Sequence, residues 1–360
     1  MTINIISPHA SNYFGGMEVV TINMALGLAK IGVRVRFFTR KVEETTDVYK
    51  NLVSKQSENL TIIEVPVDTS CPLPDSLWAT FYRISCDFGV AAVPYYKQYS
   101  DADIFITHLS VDTLFVPKDA YKILHLHGNP GTTDPLMEAA IQLPDMTIAH
   151  SQSIKDWWAK QFNFLKPRIF LNGVDTTFFK GEPKASRDID VLYVGRLIKH
   201  KGVDDILKAV SPGQKVAIAG HGPHLPKLKY MVEDLGLTNV TLYESPSTSV
   251  ISNLYKNAKI FVCPSRSKEG VLTTLLEASA SGCAVITTSG SGMTDLVTSP
   301  TEGIIVSPGD ISALKYAINT LLGNNVNRIK MAETLQAKIC QSWTWQAKSI
   351  ELEKVYRGAL

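Results

Sequence analysis

The chain has 360 residues, 45% of them apolar and 19% charged, and a net charge of only +2. That length exceeds one compact core and suits two domains, and the composition is that of a globular rather than a disordered protein. The near-zero charge gives no support to a nucleic-acid partner. No stretch reaches the eighteen or so apolar residues that a membrane-spanning helix requires.

The N-terminus, Met1-Thr2-Ile3-Asn4-Ile5-Ile6, has no basic n-region and no cleavage site, so it reads as a first β-strand and not as a secretory signal. The five cysteines (Cys71, Cys86, Cys263, Cys283 and Cys340) are odd in number and form no C-x-x-C pair. They point to a reducing, cytoplasmic setting and away from structural zinc. Up to Asp175 there are 15 basic against 18 acidic residues, and beyond it 21 against 16. An anionic ligand is easier to place in the second half.

From the N-terminus, short β-branched runs predict strands over 3–6, 33–38, 60–65, 103–107, 122–127, 146–149 and 168–171. Amphipathic helices fit between them, for example over 17–30 and over 151–162, the latter capped by Ser151. A second series predicts strands over 191–194, 215–219, 240–243, 259–263, 284–287 and 303–306, followed by helices from 311 almost to the end. This alternation is the mark of βα units in parallel sheets. The polar stretch 176–188, with Gly181 and Pro183, is the expected linker between domains over 1–175 and 189–341. The fold class is therefore α/β, with two doubly wound, Rossmann-like domains facing a cleft. Ligands of such sheets sit outside the carboxyl ends of the strands.

Three loops carry candidate chemistry. After the first strand, Gly15 and Gly16 lead into a helix, where bare backbone and free N–H groups suit an anion, although a plain glycine turn fits equally. After the strand over 191–194, Gly195-Arg196-Leu197-Ile198-Lys199-His200-Lys201-Gly202 offers a guanidinium fork and an ammonium for phosphate oxygens. A solvated basic turn is the alternative. After the strand over 259–263, Glu269 precedes a helix expected over 271–280, and Glu277 lies about two turns further on. Spacing alone allows two carboxylates on vicinal hydroxyls of one ligand. It equally allows a helix cap and an exposed helix residue.

In these motifs the chain resembles the retaining GT-B glycosyltransferases of family GT4. Glu269-x7-Glu277 is similar to the family's E-x7-E pair, and Gly195-Arg196-Leu197 with Lys201-Gly202 to its G-R-L-x3-K-G loop. Asn172-Gly173-Val174-Asp175, Gly220-His221-Gly222-Pro223, Gly15-Gly16 and His127-Gly128 match further motifs in the family's order. The resemblance implies that Arg196 and Lys201 hold the donor diphosphate and Glu277 the ribose. It implies that Glu269 and the backbone of Gly270, Val271, Leu272 and Thr273 meet the transferred sugar. Gly16 would reach a phosphate, and His127 would sit beside the sugar, with His125 and His108 as rivals for that place. The segment containing Trp343 and Trp345 would return to the first domain over about 342–360.

Two departures are plain. The family's E-G-F-G is Glu269-Gly270-Val271-Leu272 here, where Leu272 narrows the backbone freedom, and its G-G-x-x-E is replaced by a segment ending in Asp295. The activity implied is a hexosyltransferase that moves a sugar from a nucleotide sugar, with UDP favoured by family frequency, to a glycan or lipid-linked hydroxyl. No metal and no cofactor is expected, since no D-x-D motif appears where a metal would serve the departing diphosphate. A non-catalytic nucleotide-sugar-binding subunit is the alternative from another class. The aromatic stretch 72–99, which includes Trp78, Phe81, Tyr82, Phe88, Tyr95, Tyr96 and Tyr99, reads either as peripheral membrane contact or as core packing.

Overall fold

A computed structural model describes every residue except Phe14, 69–76, Ala185 and Lys268, and only the backbone of Leu77 and Trp78. Cys71, the start of the aromatic stretch 72–99 and the Trp78 side chain therefore lie outside the described residues. The chain forms two compact units, Met1–Asn172 with Trp345–Leu360, and Gly173–Thr344.

The first unit holds strands β1 (Thr2–Ile6), β2 (Arg34–Arg40), β3 (Leu60–Val65), β4 (Ile104–Thr107), β5 (Lys122–Leu126), β6 (Met146–Ala149) and β7 (Arg168–Ile169). Between them run α1 (Gly16–Lys30), α2 (Asp47–Ser54), α3 (Leu77–Gln98), α4 (Pro135–Ala140) and α5 (Gln152–Gln161). The second unit holds β8 (Ile189–Val194), β9 (Val216–Gly220), β10 (Val240–Glu244), β11 (Ala258–Cys263), β12 (Ala284–Thr288) and β13 (Ile304–Val306). Its helices are α6 (Val203–Ala209), α7 (Leu225–Asp234), α8 (Thr248–Asn257), α9 (Thr273–Ala280), α10 (Met293–Leu296), α11 (Ile311–Gly323) and α12 (Asn325–Ser342). The last helix, α13 (Trp345–Arg357), belongs to the first unit.

Each sheet is parallel, with strand order β3-β2-β1-β4-β5-β6-β7 in the first and β10-β9-β8-β11-β12-β13 in the second. The order reverses once in each, between β1 and β4 and between β8 and β11. These reversals are the topological switch points of doubly wound sheets. Inner strands β4, β5 and β12 are buried along their whole length. That is why they lack the regular apolar–polar alternation of a half-exposed strand.

Ser151 caps α5, its Oγ accepting from the Ile154 N–H at 3.1 Å. Gly27 on α1 permits α13 to pack closely, since a Cβ there would meet Ser349 Oγ at 2.1 Å. Leu352 and Tyr356 of α13 then join the core of the first sheet with Ile3 and Leu28. In the aromatic stretch the core reading describes Phe88 and Tyr96, which are buried against Phe38, Phe105 and their neighbours. Among the described residues no helix is long and apolar enough to cross a membrane.

The stretch 176–188 is not a free linker. The units divide at Asn172–Gly173, and its described residues pack inside the second unit, with Phe179 and Arg187 buried. Trp343 likewise stays in the second unit, where its carbonyl accepts from the Val174 N–H at 2.8 Å. The physical reason is Arg187. Its guanidinium donates to the carbonyls of Ala258, Glu182, Ser281 and Tyr255 at 2.6, 2.6, 2.7 and 3.2 Å. Arg187→Ala strands these buried acceptors, so chemical denaturation should show a loss of about 2–4 kcal/mol. A change below about 0.5 kcal/mol would mean the segment is held by other contacts.

Candidate functional site

At the switch point of the second sheet, β8 runs through Gly195, Arg196 and Leu197 into a 3-10 turn over Lys199–Lys201. Gly202 ends that turn with φ of +70, and a Cβ there would lie 2.2 Å from the Pro264 carbonyl oxygen. Glycine is thus what lets the loop after β8 touch the loop after β11. The contact sets Lys201 against Glu269. Lys201 Nζ lies 2.8 and 2.9 Å from the two carboxylate oxygens, and Ser265 Oγ donates to the same carboxylate at 2.8 Å. His200 Nε2 stands 3.6 Å from it.

Burial pushes the Glu269 carboxyl up, but the nearby His200 imidazole, the Lys201 charge and its hydrogen bond, and Ser265 outweigh it. Together they hold the group at about 2. Lys201 is buried in this pair rather than being the free point charge that the sequence suggests. Arg196, like Lys199, is exposed, and its guanidinium has no hydrogen bond or ion pair to a described residue. Its backbone is fixed by Tyr193, whose hydroxyl donates to the Arg196 carbonyl at 3.0 Å.

The helix after Glu269 starts at Thr273, two residues later than the sequence suggests, leaving Gly270, Val271 and Leu272 in the loop. Val271 is buried. Leu272 precedes the helix with φ of −73 and ψ of 134, an ordinary extended conformation, and supplies no side-chain cap. The N–H groups of Thr273 and Thr274 have no acceptor among the described residues. Two bare N–H groups at the positive end of a helix dipole suit an anion or a hydroxyl oxygen. The segment ending in Asp295 comes to the same place, where the Gly292 N–H donates to the Glu269 carbonyl at 2.6 Å.

Glu277, further along α9, is half-buried and accepts from the Tyr255 hydroxyl at 3.0 Å. Burial pushes its carboxyl up to about 7, against the smaller downward pull of the Tyr255 hydrogen bond. No cation is among the causes of that shift. The two glutamates therefore sit in opposite environments on one short helix and the loop before it.

In the first unit Gly15 caps α1, and a Cβ there would strike Glu18 Oε2 at 2.5 Å and Tyr13 at 2.7 Å. Gly16 has nothing within 4 Å of a Cβ position, so packing does not require glycine there. His127 follows the end of β5 and is half-buried, with Nε2 at 2.7 Å from His108 Nδ1. Its ring stacks on His150 at 4.3 Å between centroids. Burial holds the rings of His108, His125 and His127 well below the ordinary imidazole range, and His150 at about 4.

Sequence reasoning did not single out Ser265, Tyr255 or His150. The strand register alone would have revealed His150, because the Leu126–Ala149 pairing places the next residues, His127 and His150, side by side. Arg266 was likewise missed; it donates to Asp205 at 2.6 and 3.0 Å and to Asp204 at 2.7 Å, tying the Glu269 loop to the start of α6.

Two family models match, "Glycosyl transferases group 1" over residues 174–338 and "Glycosyltransferase Family 4" over residues 14–178. Among curated proteins, the GDP-mannose-dependent alpha-(1-6)-phosphatidylinositol monomannoside mannosyltransferase of Mycobacterium tuberculosis is 25% identical over 52% of this chain and 54% of its own length. The chain thus spans about half the length of that relative. The D-inositol 3-phosphate glycosyltransferase of Corynebacterium aurimucosum is 23% identical over 100% of this chain and 96% of its own. Among solved structures, sucrose-phosphate synthase from Thermosynechococcus elongatus superposes with a TM-score of 0.83 at 20% identity, over 99% of this chain and 98% of that one. Anabaena HepE in complex with UDP-glucose gives 0.78 at 16% identity, over 99% and 100%. The two structural likenesses show a GT-B fold, and the two family models, which meet near residue 176, place the chain among the GT4-type glycosyltransferases.

Proposed function

We propose that the protein is a hexosyltransferase that moves a sugar from a nucleoside-diphosphate sugar to a hydroxyl on a glycan or lipid-linked acceptor. The observation that carries this reading is the switch point of the second sheet. There an ionised Glu269, an exposed Arg196 and the uncapped start of α9 come from loops after adjacent strands. A sugar diphosphate needs both kinds of partner, acceptors for its hydroxyls and donors for its phosphates.

In this reading Arg196 and Lys201 meet the diphosphate, Glu277 the ribose hydroxyls, and Glu269 the transferred sugar. The backbone of Gly270, Val271, Leu272 and Thr273 completes the sugar's contacts. Gly15 and Gly16 as a phosphate-facing helix start, and His127 as the residue beside the sugar, rest on family membership alone. UDP is the proposed nucleotide; a relative named for GDP-mannose makes that donor the first competitor to test. Leaving-group charge builds on the diphosphate as the sugar becomes oxocarbenium-like. Fixed cations and helix N–H groups stabilise that charge without a metal. Retention follows the family, with the departing phosphate taking the acceptor's proton on the same face.

Lys201→Ala and Glu277→Ala should each lower kcat/KM for the donor at least tenfold, about 1.4 kcal/mol. Values within about twofold of wild type, roughly 0.4 kcal/mol, would refute the roles. The rate should be unchanged by EDTA, and its full loss on chelation would overturn the metal-free step. A thermal-shift panel of UDP-glucose, UDP-N-acetylglucosamine and GDP-mannose should show one clear stabiliser, and stabilisation by GDP-mannose alone would displace UDP.

Glu277 gives a pH prediction. Its folded-state value is raised to about 7. Its contribution to stability is therefore complete below the ordinary glutamate range and is lost as pH rises towards 7. Glu277→Gln should remove this loss and leave the ligand-free variant more stable than wild type at pH 8. Because the residue is only half-buried, we expect about 1–2 kcal/mol, less than the full shift implies. Ribose hydroxyls prefer the ionised carboxylate, so donor affinity of the wild type should fall as pH drops below 7, and titration calorimetry across pH 5.5–8 would show it.

A further inference from the structure

Four imidazoles lie at the carboxyl ends of three neighbouring strands, β4, β5 and β6. The register pairs Thr107 with Leu124 and Leu126 with Ala149, so His108 comes beside His125 and His150 beside His127. His125 has both ring nitrogens engaged, Nδ1 with His150 Nε2 at 3.0 Å and Nε2 with the Tyr356 hydroxyl at 2.8 Å. His108 Nδ1 and His127 Nε2 share the other ring–ring hydrogen bond at 2.7 Å. Two more contacts fix where His127 sits. Its ring stacks on His150 at 4.3 Å between centroids, and Trp158 Nε1 donates to the carbonyl of the next residue, Gly128, at 2.9 Å. The proton of the ring is all that these contacts leave to be placed.

Burial keeps both rings of the His108–His127 pair neutral, so each carries one N–H and one lone pair. Where the protons sit is decided by the whole hydrogen-bond network. If His127 donated to His108, His108 would carry its own proton on Nε2, which is buried without a hydrogen-bond partner. A buried N–H donor is left unmet more rarely than a buried acceptor. If His108 donates instead, its Nε2 is a bare lone pair and no N–H is stranded. The second arrangement wins. His127 then accepts at Nε2 and carries its proton on Nδ1. That nitrogen has no hydrogen bond among the described residues and, unlike His108 Nε2, is not sealed off by its neighbours.

We propose that His108 is a positioning residue for His127: by donating from Nδ1 it holds His127 as the Nδ1–H tautomer, whose open N–H is offered to an oxygen of the bound sugar. A hydroxyl can meet either form of the ring, because it both donates and accepts. Ring, glycosidic and ionised phosphate oxygens only accept, so they pair with an N–H and are repelled by a bare lone pair. Fixing the tautomer before the ligand arrives spares the cost of moving the proton at that moment, which is the benefit of any preorganised donor. His125 cannot do this for His127, since both of its nitrogens are taken. The part His108 plays in transfer rests on the reading of His127 as the residue beside the sugar, whereas the tautomer is measured without turnover.

Long-range proton–nitrogen NMR on protein made with isotope-labelled histidine reads the tautomer of each ring, and His127→Ala identifies the His127 signals by their loss. The wild type should show His127 protonated on Nδ1 and bare on Nε2. His108→Ala should abolish that single form, and His108→Asn, whose side-chain amide can donate, should restore it. Transfer should follow the ring, with kcat/KM for the nucleotide sugar lowered about fivefold or more in His108→Ala and recovered to within about twofold of wild type in His108→Asn. Circular dichroism checks the fold, and if His108→Ala does not fold, the wild-type spectrum decides. A wild-type His127 protonated on Nε2, or on both nitrogens, would overturn the assignment. So would a His108→Ala protein that keeps the Nδ1–H form or transfers sugar as fast as the wild type. No transfer by the wild type with any nucleotide sugar, beside a clear Nδ1–H signal, would instead count against the transferase reading and leave the His108–His127 pairing confirmed.

Discussion

A lone charge moved from water into a protein costs several kcal/mol, and a partner at short range offsets that only when the geometry is good. The Lys201–Glu269 pair meets that condition. Both carboxylate oxygens lie within 2.9 Å of the ammonium, with Ser265 as a further donor. Several features of the second unit follow from keeping this pair intact. Gly202 must be glycine to admit the Pro264 carbonyl, Arg266 must be tied to α6, and Gly292 must reach the Glu269 backbone. A ligand arriving there meets a carboxylate already ionised and already aimed, which is how fixed charge acts without reorganisation.

Glu269 and Glu277 show that spacing says little about charge. Glu269 has an ammonium, a hydroxyl and an imidazole around it and is held at about 2. Glu277 has one phenol and is pushed up to about 7. The first is an acceptor at any neutral pH. The second is poised between acceptor and donor, so a diol that selects the ionised form couples its own binding to proton release.

The sheets were legible in the sequence because parallel strands buried on both faces read as short runs rich in β-branched and apolar residues, as over Ile104–Thr107 and Ala284–Thr288. The segment 176–188 misled because polar, glycine-containing composition describes linkers and also backbone-rich packing. Nothing local says that Arg187 will serve four carbonyls. The site was legible as a set of residue types at strand ends. Its pairing was not, since Lys201 and Glu269 are 68 residues apart and meet only through strand order.

The two sheets reverse their strand order at the same place yet fill their strand ends differently. In the second, polar groups are charged and compensated, as Lys201 with Glu269. In the first, the groups past β4, β5 and β6 are imidazoles that burial keeps neutral. Neutral rings avoid the desolvation cost of ions, but each must find a partner for both nitrogens, and the two ring–ring hydrogen bonds use only four of the eight. Tyr356 answers this at one end of the array, and it can do so only because Gly27 lets α13 lie close on α1. The last helix of the chain thus helps set which nitrogen of His125 carries its proton, and through the His125–His150 hydrogen bond it influences the ring stacked on His127.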